Sequence, residues 1–477
     1  MWLILGIVAS IVADRFGPHS LRGNWLVLVP IVAVVTLIGR RLWDVRPSVI
    51  MCAAIALTVF SGAWSQMGLG GLPLDRLLLV IVLLQFLLHA PGAQNTPRIE
   101  VRGIHLLMAL AIAYVVASAV ASKTLTNETG FLTLFDEFGV APYLAFLAAP
   151  AIFAEERDRN FLLVTLVGLG AYLGFTAIFE SLGPHALVFP RYIAQVDSEL
   201  PGERAGGPFQ SSVAEGIATL SCAVGCAIAF VRWRLPRHRW YAATAGMVSL
   251  FACFLTLERG VWIGAGAGIV VVALATRAGR RSIVPGAVAC CVVIGGALLI
   301  SPSLATKTSH RVSDEESVWD RENQTAAGLR MLQAKPLLGF GWDRYTTDSL
   351  NYFRQAPDYP LNGFAITITG ESKKVLPLHD AYLSYAVELG MIGALLWFLV
   401  FCWGIGGAIF NRGAIELYSW KLGLFAVAVC FFVVGFFNPY QAPFPTLLLW
   451  VWAGLALGLS PPRALKEPVR PIALAPA

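Results

Sequence analysis

A histidine and an aspartate stand side by side at the start of a long apolar segment, LPLHDAYLSYAVELGMIG, residues 376–393. His379 can accept a proton near neutral pH, which is the property needed to activate a hydroxyl group. Asp380 follows Pro377 and precedes the apolar run, so we predict that it caps a helix beginning there. That role does not explain His379, which is either a base or a plain helix-start residue.

Arg259 is the second residue whose type and setting point to chemistry. It lies in LTLERGVWIG, between two strongly apolar runs. A charge so close to hydrocarbon costs several kcal/mol and marks a candidate functional residue. The guanidinium group is always charged and binds phosphate through two parallel hydrogen bonds. The alternative is that Arg259 extends to the membrane surface and pairs with Glu258.

Three further arginines are candidates for binding an anionic substrate: Arg191, Arg204 and Arg330. Arg204 lies in ERAGGPF, where backbone amides beside the glycines could approach an anion, although it could equally be an ordinary loop charge. Arg191 and Arg330 each precede a glycine by eleven positions. With 45 glycines in 477 residues this spacing arises by chance and decides nothing.

The composition indicates which elements must position these residues. Hydrophobic residues make up 57% of the chain and charged residues 13%, against about 25% in a soluble domain. The mean hydropathy is +0.69. The apolar residues form long runs, which predict an all-α polytopic membrane protein. The net charge of +6 is scattered between the runs and gives no sign of nucleic-acid binding.

Fourteen apolar runs can be placed, of which the first, third and tenth are marginal in length. With the N-terminus in the cytoplasm, 19 lysines and arginines fall in cytoplasmic segments and seven in short outer gaps. We therefore expect about 12–14 transmembrane helices in a bacterial inner membrane. The long segment 302–378 and His379 are expected to face the periplasm.

Four regions follow from this arrangement. We expect N-terminal transmembrane helices over 1–200, transmembrane helices with periplasmic arginine loops over 201–301, the periplasmic loop over 302–378, and C-terminal helices with a cytoplasmic tail over 379–477. The eight cysteines lie in apolar segments without metal-ligand spacing. Neither a metal nor another cofactor is expected.

Four stretches resemble the O-antigen ligase and polymerase superfamily of bacterial membrane glycosyltransferases: RAGGPFQSSVAEG (204–216), LTLERGVWIG (255–264), GLRMLQAKPLLGFGWDRY (328–345) and LPLHDAYLSYAVELGMIG (376–393). They are similar to the family's R-x-x-G-x-F loop, S-R-G-x-W turn, P-x-x-G-x-G segment and H-N-x-Y-L…E-x-G-x-x-G helix start. Two positions depart from these patterns. Glu258 replaces the serine and Asp380 replaces the asparagine, and either change could alter how the acceptor is held.

The resemblance implies a GT-C-like membrane enzyme that transfers a glycan, with inversion and without a metal, from a polyprenyl diphosphate to an acceptor hydroxyl. The partners it implies are the lipid-linked donor, a lipid or glycan acceptor and membrane lipids. Arg204 and Arg259 would stabilise the charge of the departing diphosphate. His379 would be the base or would orient the acceptor. Arg330 could hold either substrate, and a short helix within 325–353 would lie over the site.

A transporter or flippase of lipid-linked sugars is the competing class. It predicts paired charges at mid-membrane and two matching halves. Glu388 is a mid-span charge, and its position nine residues after His379 places it on the opposite side of the helix, where we interpret it as a polar anchor between helices. Ligase and polymerase activities stay open, because they differ only in the acceptor.

The charge bias makes a direct prediction about topology. In the protein carrying Ser317→Cys, an impermeant thiol reagent added from outside should label the new cysteine. The matched variant Arg237→Cys should not be labelled, with the wild-type protein giving the background from native cysteines. Labelling at position 237 would reverse the sidedness and remove the candidate site from the periplasm.

Overall fold

The computed structural model describes residues 45–64, 66–67, 73–89, 101–194, 204–353, 366–369, 372–375, 377–412, 414–440 and 442–459. These ranges are helical apart from one antiparallel hairpin in the long segment, in which β1 (Ile366–Thr369) pairs with β2 (Ser372–Val375). The α-helices of these ranges, α1 to α17 in chain order, are Pro47–Thr58, Leu74–His89, Gly103–Ala121, Glu128–Leu132, Val140–Ile152, Glu156–Leu182, Ser212–Arg232, Pro236–Leu255, Arg259–Ala275, Arg277–Ile300, Pro302–Ser313, Glu316–Ala334, Tyr345–Asp348, Ala381–Phe401, Gly407–Phe410, Tyr418–Gly435 and Pro443–Leu457.

The multi-pass helical architecture is confirmed. Within the described ranges, the segments long and apolar enough to cross a membrane are Gly103–Ala121, Gly130–Ile152, Glu156–Leu182, Ser212–Arg232, Ala381–Phe410 and Ile415–Gly435. A seventh span results if Val284–Ile300 and Pro302–Ala334, bent by 113°, count as one broken span.

The number of spans is lower than the predicted 12–14 for identifiable reasons. The first two apolar runs lie outside the described residues. Helices α1, α9 and α17 are apolar but have 12, 17 and 15 residues, short of the ~20 that cross a bilayer. The third and tenth runs, predicted to be marginal, correspond to α1 and α9. Helix α8 has 20 residues but begins PRHRWY, which lowers its hydropathy.

Contacts between the connecting segments place them on two faces of the protein. This grouping agrees with the one predicted from the distribution of lysine and arginine. Helix α6 runs from one face to the other and α7 returns beside it. At one end Glu156 of α6 pairs with Arg232 of α7 at 3.1 Å. At the other end Glu180 of α6 binds the backbone of Gly206, just before α7, at 3.0 Å. Segments predicted to be cytoplasmic therefore meet at one face, and those predicted to be periplasmic meet at the other.

A break in helix α14 fixes the long segment against the membrane helices. Gly390, in the middle of α14, has φ +69°, and a side chain there would collide with the backbone of Leu337. The amide groups of Phe340 and Gly341 donate to the carbonyl groups of Val387 and Glu388 at 2.9 and 2.8 Å. The Pro336–Gly341 stretch thus docks into the broken helix turn.

Glu388 completes this attachment. Its carboxylate accepts hydrogen bonds from the backbone N–H groups of Asp343 and Tyr345 at 3.1 and 3.2 Å. Glu388 is thus a polar anchor, but it joins α14 to the loop before α13 and to the first residue of α13 rather than to another membrane helix. Since α12 leads directly into this loop, the attachment also sets the position of α12 beside the start of α14.

Candidate functional site

The loop that carries Arg204 is shaped by an internal carboxylate. Glu180, near the end of α6, accepts hydrogen bonds from the N–H groups of Gly206 and Gly207 at 3.0 and 2.9 Å. Gly207 has φ +54°, and a side chain there would collide with the Glu215 carboxylate. The glycine amides, which were candidates for binding an anion, therefore already donate to Glu180. The side chain of Arg204 is the remaining candidate in this loop.

Glu258 is the centre of the site. It lies directly before α9 and is 1% exposed. Its carboxylate forms ion pairs with Arg204 and Arg321, both at 3.4 Å, and with Arg311 at 3.8 Å. The three arginines come from the 204–211 loop, α11 and α12. One buried carboxylate thus gathers guanidinium groups from three separate segments.

Arg259 reaches the same region by another contact. Its guanidinium donates to the backbone carbonyl of Asp314 at 3.5 Å, and the Asp314 carboxylate pairs with Arg311 at 2.7 Å. We call Arg204, Arg259, Arg311 and Arg321 the arginine cluster. With the carboxylates of Glu258 and Asp314, these six side chains carry a net charge of +2.

The cluster is compact enough for its charges to oppose one another. The pKa of Arg311 is lowered to about 10, mainly by burial and next by the neighbouring positive charge of Arg204, while Glu258 acts to raise it. Arg311 still carries its charge at neutral pH. A mutually repelling group of cations with two excess charges is well suited to bind an added anion.

The hydrogen bonds of His379 with Gln324 determine which ring nitrogen carries the proton. Gln324 of α12 places its Oε1 atom 3.0 Å from the backbone nitrogen of His379 and 2.9 Å from Nδ1. The backbone N–H can only donate, so the Gln324 atom facing it must be the accepting oxygen. The same oxygen requires a proton on Nδ1. In the neutral ring, Nε2 is then the unprotonated atom.

His379 is neutral at physiological pH. Burial is the main cause that lowers its pKa to about 4, and the positive charge of Arg321 acts in the same direction against Glu258. The ring can therefore accept a proton at Nε2 without first losing one. The adjoining Asp380 accepts from the N–H groups of Tyr382 and Leu383, both at 3.0 Å, which confirms it as the N-cap of α14.

Two of the predicted binding residues lie elsewhere. Arg330 donates to the backbone carbonyl of Tyr352 at 2.8 Å, and it lies nine residues after Arg321, on the opposite side of α12. Arg191 is exposed in the short 3₁₀ turn Arg191–Ala194. The structure therefore brings together Arg204, Glu258, Arg259 and His379 but does not add Arg191 or Arg330 to the cluster.

Arg311, Arg321 and Gln324 were missed in the sequence. They lie on α11 and α12, and α12 begins at Glu316 and has 19 residues, longer and earlier than the short helix predicted within 325–353. The buried residues Asp320, Gln324, Ala327 and Met331 recur every three or four positions. That spacing, shared by two polar and two apolar residues, could have identified a helix face packed against other protein segments.

A cavity of about 140 Å³ adjoins His379 on the side of the membrane helices. Its walls come from the start of α7, the end of α16 and the start of α17. Among the described residues, no group of three or more His, Cys, Asp or Glu side chains is arranged to hold a metal ion.

The role of Glu258 can be tested by Glu258→Gln. Removing one partner of a buried ion pair typically costs roughly 3–5 kcal/mol, and we expect the low end because Arg204 and Arg321 are partly exposed. The Tm of the detergent-solubilised variant should fall. Inorganic diphosphate should raise the Tm of the variant more than that of the wild type, since the added anion replaces the lost carboxylate.

The matched control is Glu155→Gln on the opposite face. Glu155 is 67% exposed and pairs with Arg46, so its loss should change the Tm little. If Glu258→Gln has a wild-type Tm and the same response to diphosphate, the carboxylate does not hold the arginine cluster together.

Comparison with protein families identifies the region that contains most of this site. Residues 244–398 match the family model described as O-antigen ligase. No curated protein matches the chain. The matched region includes Glu258, Arg259, Gln324 and His379, whereas Arg204 lies before it. The similarity to the O-antigen ligase family therefore covers residues 244–398 of this multi-pass membrane protein.

Proposed function

We propose that the protein transfers a glycan from a polyprenyl diphosphate carrier to an acceptor hydroxyl at the periplasmic face of the inner membrane. The observation that carries this proposal is the arginine cluster, which together with Glu258 and Asp314 has a net charge of +2, beside a neutral histidine whose Nε2 is unprotonated. The family match supports glycan transfer of the O-antigen ligase or polymerase type.

The charges fit the chemistry of the donor. A diphosphate esterified at both ends carries two negative charges, and it gains a third when the bond to the sugar breaks. The excess positive charge of the arginine cluster matches the bound donor and favours the departing diphosphate. Electrostatic stabilisation of this kind is usually the largest contribution to such a reaction.

His379 serves the other half of the reaction. The acceptor oxygen forms a bond to the anomeric carbon of the donor sugar, and the bond from that carbon to the diphosphate oxygen breaks. The hydroxyl proton passes to Nε2 of His379, and the bonding electrons leave with the diphosphate. Attack on the side opposite the leaving group inverts the anomeric centre.

The location of the cluster favours transfer over transport. Its arginines lie in a loop, at the beginning of one helix and in the two helices of the long segment, all on the face predicted to be periplasmic. A transporter is expected to place its charges near mid-membrane. No ATP is available in the periplasm, so the energy for transfer must reside in the diphosphate linkage of the donor.

The donor-binding role is tested by Arg259→Lys. A point charge would replace the two-pronged guanidinium, and losing one such donor to a developing anion typically costs roughly 100- to 1,000-fold in rate. We expect a loss in this range at normal expression, measured with purified protein and polyprenyl diphosphate-linked glycan. Arg237→Lys, an exposed arginine of the other face, should keep wild-type activity. A fully active Arg259→Lys would contradict the proposed role.

The role of His379 as the base is tested by comparing two single variants, His379→Ala and Asp380→Asn. The first should lower transfer by about 100- to 10,000-fold while donor lipid still binds to the arginines. The second can still cap the helix and should be tolerated. A fully active His379→Ala with an inactive Asp380→Asn would instead identify Asp380 as the base.

The pH dependence of kcat/KM independently tests the protonation state of His379. In the wild type, kcat/KM should stay level as the pH falls through 6.5, the ordinary pKa of histidine, and should drop only as it approaches about 4. Protonation of Nε2 causes the drop in kcat/KM. The low pKa of His379 shifts this drop to more acidic pH. An acidic limb centred at the ordinary value would contradict the neutral, buried ring.

A further inference from the structure

Two leucines at the tip of the Pro336–Gly341 stretch are exposed, although this stretch is docked into a membrane helix. Leu337 and Leu338 are 64% and 66% exposed. The neighbouring exposed residues of α14 are also apolar: Met391, Ile392 and Leu395. Since α14 belongs to a segment long and apolar enough to cross a membrane, its exposed apolar residues face lipid. The two leucines extend that lipid-facing surface.

Helix α3 serves as a measure of depth in the membrane. The Tyr114 hydroxyl of α3 donates to the Leu389 carbonyl of α14 at 2.8 Å. Tyr114 lies seven residues before Ala121, the last residue of this membrane span, a distance of about 10 Å along a helix. Side chains tilt toward the beginning of their helix, which for α3 is the face opposite the arginine cluster. Leu389 is therefore at least as deep in the membrane as the Cα atom of Tyr114.

The exposed leucines lie at the same depth or deeper. Helix α14 runs inward from the face of the arginine cluster, so Ile392 lies deeper than Leu389. The Ile392 N–H donates to the Leu337 carbonyl at 3.4 Å. Leu337 is thus about 10 Å inside the outer end of α3, and a hydrocarbon leaflet is about 15 Å thick.

On both sides of the tip the chain has contacts typical of the membrane surface. The Trp342 N–H donates to Ser118 Oγ at 3.1 Å, and the Trp342 carbonyl accepts from Thr124 Oγ1 at 2.8 Å, both near the outer end of α3. On the other side, Lys335 places Nζ 4.4 Å from the centre of the Phe340 ring. A lysine whose stem follows apolar surface, next to an aromatic ring, is typical of the membrane–water interface. Interfacial residues therefore flank an apolar tip.

The broken turn of α14 makes irregular backbone acceptable at this depth. Loops occur at hydrocarbon depth only where protein groups pair their backbone. The carbonyl groups of Pro336 and Leu337 accept from the N–H groups of Met391 and Ile392 at 2.9 and 3.4 Å. Together with the two amides that donate to Val387 and Glu388, four hydrogen bonds join the stretch to the turn. Pro336 has no N–H group that would need a partner.

We propose that the Pro336–Gly341 stretch inserts into the membrane leaflet on the side of the arginine cluster, with Leu337 and Leu338 in contact with phospholipid acyl chains. This part of segment 302–378, predicted from the charges to be a periplasmic loop, therefore lies in the bilayer. Because α12 ends at Ala334, the inserted tip holds the end of that helix at the membrane surface. The inference concerns the bilayer and does not depend on the transfer reaction.

The location is tested by Leu338→Cys in the full-length protein, reconstituted in phospholipid nanodiscs at one copy per disc. A charged thiol reagent should leave position 338 unlabelled, because the reactive thiolate does not form in hydrocarbon. The same position should be labelled after the disc is dissolved in dodecyl sulfate. Thr347→Cys is the matched control, since Thr347 is exposed on α13, and it should be labelled in the intact disc. Labelling is read at each position by peptide mass spectrometry, which separates it from the native cysteines.

Quenching identifies what covers the tip. A fluorophore attached to Leu338→Cys through an uncharged maleimide should be quenched by phospholipids that carry a nitroxide on the acyl chain. The same fluorophore on Thr347→Cys should not be quenched. Labelling of Leu338→Cys by the charged reagent as fast as Thr347→Cys would overturn the proposal. Protection that appears only when several copies share one disc would also overturn it, because a second copy would then be the cover.

A charge at the tip should release it from the membrane. In Leu338→Asp, hydrogen exchange at the amides of Phe340 and Gly341 should be roughly 10-fold faster, since a charged side chain is strongly disfavoured in hydrocarbon. Leu338→Met stays apolar and should exchange like the wild type. Thr347→Asp adds the same charge on exposed α13 and should also leave these amides unchanged. Wild-type exchange in Leu338→Asp would contradict insertion of the tip.

Discussion

The buried carboxylate of Glu258 is the interaction on which the site depends. Four arginines gathered on one face of a membrane protein would repel one another, and Glu258 neutralises part of that repulsion where three of them meet. It also ties the 204–211 loop, α11 and α12 to the start of α9. Glu258 permits the cluster to assemble without neutralising it, since the four guanidinium groups and the carboxylates of Glu258 and Asp314 together carry a net charge of +2.

That electrostatic arrangement requires α12 to be held accurately, and the hydrogen bonds at the break in α14 do this. The Pro336–Gly341 stretch occupies the break at Gly390, and Glu388 binds the backbone that follows. Helix α12 therefore carries Arg321 to Glu258 and Gln324 to His379 from a fixed position. One helix of the long segment thus contacts both the arginine cluster and the histidine.

The histidine itself illustrates how a neighbour selects a chemical state. Gln324 supplies one oxygen to two donors of the same residue, the backbone N–H and Nδ1, which leaves Nε2 with its lone pair. Burial and Arg321 keep the ring neutral by lowering its pKa to about 4. In the proposed reaction, a base with so low a pKa is weak, so positioning of the acceptor would supply more of the rate enhancement.

The sequence by itself determined the features that depend on local composition and order. Apolar runs predicted a helical multi-pass protein, the distribution of lysine and arginine sorted its loops onto two faces, and Asp380 before an apolar run predicted a helix cap. Arg259 and His379 were found because each stands out from its apolar neighbours, and Arg204 and Glu258 because they lie in stretches that resemble the O-antigen ligase family. Tertiary structure alone decided which of the other polar residues join them. Glu258 meets Arg321 across 63 positions and His379 meets Gln324 across 55, and no local pattern encodes contacts of that range. For the same reason Arg330, as plausible in sequence as Arg321, points to the other side of its helix and holds a loop instead.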